Sequence, residues 1–120
     1  MTFDSDLHSY DQFLGGRLTV AQPKTGYRAG VDPVLLAASV PAGRGESVLE
    51  LGCGVGVASL CLAARVPGLE ITGVEIQPNA AILAAQNAQH NGCKLTVITG
   101  DIASPPAALR GKIFDFVIAN

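Results

Sequence analysis

A chain of 120 residues, 48% hydrophobic and 15% charged with a mean hydropathy of +0.36, has the make-up of one globular domain with its own core, which excludes a two-domain enzyme and a disordered tail. Eight Lys and Arg against ten Asp and Glu, with the signs scattered, leave no polyelectrolyte footprint for nucleic acid or a membrane surface, so any nucleic-acid contact is local. Cys53, Cys61 and Cys93 show no C-x-x-C or Cys/His ligand spacing, which argues against a zinc site or a disulfide framework and for a reducing, cytoplasmic setting.

The first ten residues carry Asp4, Asp6 and His8 and no apolar run, so neither a signal peptide nor a membrane anchor is expected. Residues 13–20 read as a short hairpin and residues 22–30 as a glycine-punctuated loop. Asp32 before Pro33 reads as an N-cap with proline at the first helical position, opening a short helix that Pro41 stops. Residues 1–46 thus form an N-terminal extension. From Ser47 the rhythm changes. Residues 48–51, 70–74, 95–98 and 114–119 are short apolar or alternating runs that predict strands. Residues 58–66, closed by Pro67-Gly68, and 78–90, opened by Pro78 and closed by Asn91-Gly92, predict helices. Alternating strands and helices predict an α/β domain over 47–120 with a Rossmann-like parallel sheet. Right-handed crossovers order its strands 3-2-1-4 and put the helices, that of Asp32 included, on one face. Residues 114–120 then form an edge beside a half-bare sheet face, through which the chain is expected to self-associate.

The first sheet strand runs into Glu50-Leu51-Gly52-Cys53-Gly54-Val55-Gly56 with a helix directly behind, the place where open α/β sheets take ligands. Glycine there lets a ligand approach the backbone. Glu75, followed by Ile76, closes the second strand nineteen positions after Gly56, where a carboxylate can accept both hydroxyls of a ribose. Asp101 and Ile102, just past the third strand, can border an adenine, the carboxylate taking its amine and the isoleucine its face. Each carboxylate alone is also a common turn residue. Convergence at successive strand ends points to an adenosine ligand. The third glycine comes one residue too early for a dinucleotide fingerprint, and Glu50 would repel a pyrophosphate but attract an ammonium group. That favours S-adenosylmethionine over NAD. Cys53 and Cys61 read as small space-filling residues, His90 as a partner of its helix dipole, and His8 as part of a mobile terminus.

These motifs, with Gly100-Asp101 and the run from Phe114 to Asn120, resemble the seven-stranded, S-adenosylmethionine-dependent methyltransferases over residues 47–120. In the branch that methylates planar amines the fourth strand ends in Asn-Pro-Pro-Tyr or Asn-Pro-Pro-Phe, and this chain stops on what looks like that asparagine, Asn120. The resemblance therefore implies a chain truncated there, holding the first half of the fold and inactive alone. Upstream, Gly15-Gly16-Arg17-Leu18 and residues 22–32 are similar to the tRNA1(Val) adenine-37 N6-methyltransferase family. That likeness implies methylation of adenine in tRNA, with the Asn120 amide oxygen accepting a hydrogen of the amine. It also implies a shoulder over the cofactor in which Tyr27, Arg28, Gly30 and Asp32 cover adenosine, touch RNA phosphate or decorate the surface. Two alternatives stand beside it: methylation of a protein glutamine or another nucleic-acid amine, and a nucleotide-binding module without catalysis.

Overall fold

The computed structural model describes residues 6–26 and 28–120; the first five residues, which carry part of the leader expectation, lie outside them, as does Tyr27. The chain opens with an antiparallel hairpin of β1 (His8–Phe13) and β2 (Leu18–Pro23), then α1 (Asp32–Ser39). There follow β3 (Ser47–Leu51), α2 (Val57–Arg65), β4 (Glu70–Glu75), α3 (Pro78–His90), β5 (Leu95–Thr99), a 3₁₀ turn (Ala107–Leu109) and β6 (Phe116–Ala119). Strands β3 to β6 form one parallel sheet in the order β5-β4-β3-β6, the expected 3-2-1-4.

The register explains the core. Ile71 lies beside Val48 and Leu95, and Val48 beside Phe116, so one face of the sheet carries a row of apolar side chains. Onto that row pack Val57, Leu60 and Cys61 of α2, Ala37 of α1 and Leu18 and Val20 of the hairpin. Leu60, Leu62, Val20 and Val48 are fully buried, each worth about 1.5–3 kcal/mol of apolar burial. Helix α2 is buried along its first six residues because β4, α1 and β2 surround it. Two arginines close helix ends: Arg17 donates to the Ala64 carbonyl at 2.8 Å, and Arg65 to the Ala37 carbonyl at 3.0 Å, beside the Val40 N–H that the same oxygen accepts.

Several local expectations need correction. The hairpin is longer than residues 13–20, since the chain pairs from His8 opposite Pro23 to Phe13 opposite Leu18; His8 therefore sits in a strand, not in a mobile terminus, and Gln22 and Pro23 belong to β2. Asp32 is not the N-cap. Val31 already has helical angles and its carbonyl accepts the Leu35 N–H at 3.0 Å, so the helix starts one residue early and no side chain caps it. Strand β6 begins at Phe116, because the Asp115 carboxylate turns back to accept the Ser47 N–H at 2.8 Å. Among the described residues no helix is long and apolar enough to cross a membrane.

Candidate functional site

A cavity of about 400 Å³ opens at the carboxyl ends of β3 and β4. Glu50, Gly52, Cys53, Gly54 and Val55 form its floor, Val57 and Ala58 the start of α2, and Glu75, Gln77 and Ala80 the side towards α3; Asn120 reaches it from the end of β6. The far wall comes from the N-terminal segment: Gln22, Pro23, Thr25, Gly26, Ala29 and Pro33.

Two carboxylates set the chemistry. Glu50 lies on β3 in register with Gly73 and Ile118, on the face that carries α2, and is buried. The Ser59 hydroxyl donates to its Oε1 at 2.7 Å. Burial pushes the Glu50 carboxyl up to about 7; the Ser59 hydrogen bonds oppose the rise and the charge of Glu75 adds to it. Glu75 ends β4 and bridges two backbone segments, Oε1 accepting the Gly54 N–H at 2.8 Å and Oε2 the Gln77 N–H at 2.9 Å. The glycine loop is thereby fixed from the second strand. Gly52 and Gly54 both have positive φ, 67° and 56°, and a Cβ on either would meet no protein atom, so the backbone there stays open to a ligand.

Cys53 continues β3 towards β4, its N–H reaching the Val74 carbonyl at 3.0 Å. Its side chain lies over Gly73, where a Cβ would come within 2.8 Å of the sulfur. Burial and the charges of Glu50 and Glu75 push its thiol up to about 12, so it is a space-filling group without nucleophilic character.

Of the residues singled out in the sequence, Glu50, Gly52, Cys53, Gly54, Glu75 and Asn120 meet in this cavity. Gly56 stands behind them as the N-cap of α2. Ile76 and Ile102 follow β4 and β5 as apolar side chains 59% and 52% exposed, outside the lining. Asp101 is exposed and accepts the Ala103 N–H at 2.9 Å, which makes it a turn residue in this structure. Arg28 does not face the cavity: it pairs with Asp11 at 2.7 Å and donates to the Pro23 carbonyl. Gly30 and Asp32 flank the wall without joining it, and Tyr27 lies outside the described residues.

Gln22, which is not among the residues singled out in the sequence, organises the far wall. Only 2% exposed, it donates to Asp11 of β1 at 2.9 Å and accepts the Ala29 N–H at 2.7 Å, tying Ala29 back to the hairpin. The alternation Leu18, Val20, Gln22 carries the signal, since a third inward position on the same strand is polar and needs partners.

The family description "methyltransferase small domain" matches residues 28–120. A tRNA1(Val) (adenine(37)-N6)-methyltransferase of Flavobacteriaceae bacterium strain 3519-10 is 35% identical over 106 residues, covering 87% of this chain and 45% of the relative. A Release factor glutamine methyltransferase of Geobacter sulfurreducens is 34% identical over 74 residues, covering 62% of this chain and 25% of the relative. The chain thus spans less than half the length of these curated relatives. Among solved structures, a SAM-dependent methyltransferase from Agrobacterium tumefaciens superposes on 94% of this chain, and on 39% of its own, with a TM-score of 0.72 at 25% identity. A T. thermophilus 16S rRNA N2 G1207 methyltransferase in complex with AdoMet and guanosine shares the fold, with a TM-score of 0.73 at 24% identity over 94% of this chain and 32% of its own. With its sheet order, its strand-end glycine loop and a family match that runs through both, the chain belongs to the methyltransferase small domain family.

Proposed function

We propose that this chain supplies the cofactor-binding half of an S-adenosylmethionine-dependent N-methyltransferase acting on a planar exocyclic amine, adenine in tRNA. The observation that carries the reading is the meeting of Glu50, Gly52, Gly54, Glu75 and Asn120 around one cavity. The donor set suits the cofactor: an acceptor at the second strand for ribose hydroxyls, a buried carboxyl for an ammonium group, and bare backbone between them. Exposed Ile76 and Ile102 offer apolar contacts for an adenine ring. When bound, S-adenosylmethionine supplies a methyl group on a positively charged sulfur. Glu75 would hold its ribose end and Glu50 its amino-acid end, with Gln22, Pro23, Thr25, Gly26 and Ala29 as the wall that keeps water out. Asn120 is assigned the substrate side: its amide oxygen accepts one hydrogen of the amine and turns the nitrogen lone pair towards the methyl group. No general base is needed before transfer.

The tRNA1(Val) relatives support adenine in tRNA as substrate. The Release factor glutamine methyltransferase favours the second reading, a protein glutamine amide, because both amines are planar and need the same orientation. Residues 1–46 act in this reading as the shoulder beside the substrate, in a cytoplasmic protein. Incubating the full-length methyltransferase that carries this chain as its cofactor-binding half with methyl-labelled S-adenosylmethionine and either unmodified tRNA or release factor separates the two. Label recovered as N6-methyladenosine is expected; label only in glutamine, or NAD binding without transfer, contradicts the proposal.

A further inference from the structure

Asn87 of α3 and Asn91, the C-cap residue that follows it, take the place of a strand beside the hairpin. Among the described residues strand β2 pairs with β1 along one edge only, and its other edge faces α3. There Asn91 accepts the Thr19 N–H at 2.9 Å and donates to the Thr19 carbonyl at 2.8 Å. Asn87 does the same for Ala21, at 2.9 and 3.1 Å. The spacings match: four residues of helix rise about 6 Å and two residues of strand about 6.6 Å, so successive carboxamides meet alternate peptides.

The two differ in their second amide proton. Asn91 gives it to the Asn87 carbonyl of its own helix at 2.7 Å. Asn87, fully buried, gives it to the Val55 carbonyl at 3.0 Å, inside the glycine loop. Val55 also packs with Ala21 and Leu83, and it lines the cavity opposite Gln22 and Pro23, the residues that follow Ala21. One carboxamide therefore joins the two walls between which a ligand must sit, while its neighbour joins hairpin to helix alone.

We propose that Asn87 is a positioning residue of the cofactor site, one that couples the order of the hairpin to occupancy of the glycine loop. This rests on the cavity taking S-adenosylmethionine, as proposed above. A ligand that steadies the loop steadies the Val55 carbonyl, and through Asn87 the Ala21 peptide; coupling of this kind is reciprocal, so a disordered hairpin weakens the ligand equally. Asn91 serves as the internal control, because it makes the same pair of hydrogen bonds to the hairpin without touching the loop.

Amide hydrogen exchange of the protein with and without saturating S-adenosylhomocysteine tests it. In the wild type the Ala21 amide is expected to slow about five-fold or more on binding, together with the loop amides. In Asn91→Ala that response and the affinity persist to within about two-fold, whereas Asn87→Ala loses the Ala21 response and binds about ten-fold more weakly or worse. Because Asn87→Ala can fail to fold, the wild-type and Asn91→Ala arms keep the coupling open to refutation without it. Slowed loop amides with an unchanged Ala21 overturn the coupling, as does equal weakening by the two variants. If no amide slows and no heat of binding appears, the cofactor assignment itself falls.

Discussion

Glu50 has two opposed preferences, and they give the site a pH signature. Its carboxyl is pushed from 4.5 to about 7 by burial, so the folded protein holds that proton over a range in which the unfolded chain releases it. The stabilising contribution is complete below about pH 4.5 and is lost as pH rises through about 7, at most about 3 kcal/mol at 1.36 kcal/mol per tenfold change in proton affinity. A ligand ammonium group prefers the ionised form. Thermal melts from about pH 5 to about pH 8.5 should therefore show wild-type stability falling relative to Glu50→Gln, while the affinity for S-adenosylhomocysteine rises with pH in the wild type and stays flat in the variant. Identical pH profiles for the two proteins would remove Glu50 from the site.

At the scale of elements, the glycine loop is seated by the close approach of Cys53 to β4. A Cβ at Gly73 would stand 2.8 Å from the Cys53 sulfur and 2.9 Å from its Cβ. Gly73→Ala is expected to cost about 1–3 kcal/mol, read as a lowered melting temperature. Adding Cys53→Gly should recover most of the loss and adding Cys53→Ala should not, because the Cβ of residue 53 is itself in the way. Recovery by alanine would mean that the loop rests elsewhere. The sheet and α3 were legible from sequence because Val48, Ile71 and Ile118 mark apolar strands and Pro78 and Asn91-Gly92 bound a helix. The glycine loop and Glu75 were legible because both sit at strand ends, where chain order alone places them side by side. Strand β1 was not, since His8, Asp11 and Gln12 lack the apolar alternation of a buried strand. Asn87 was not legible either: its partners Ala21 and Val55 lie 66 and 32 residues away, and a mid-helix asparagine reads locally as a solvated side chain.

The whole molecule is one-sided. α1, α2, α3 and the hairpin crowd one face of the sheet, and on the other Val117 is 58% exposed, with Ile113 at 92% beside β6. Among the described residues strand β6 pairs only with β3, which makes it an edge strand of the sheet. The 120-residue chain by itself is expected to associate through this edge and face, and Val117→Lys to shift it towards monomer; light scattering reads both. A monodisperse wild-type monomer with a cooperative melt would contradict this.

The cavity at the ends of β3 and β4 is defined most directly by the ligand it accepts. Titration calorimetry with S-adenosylhomocysteine and with NADH, on the wild type and on Glu75→Ala, tests it. One-to-one binding of S-adenosylhomocysteine is expected, weakened about ten-fold to a hundred-fold when Glu75 is removed, in line with about 1.5–3 kcal/mol for charge-assisted hydrogen bonds, with no heat from NADH. Binding of NADH in preference, or an affinity for S-adenosylhomocysteine indifferent to Glu75, would contradict it.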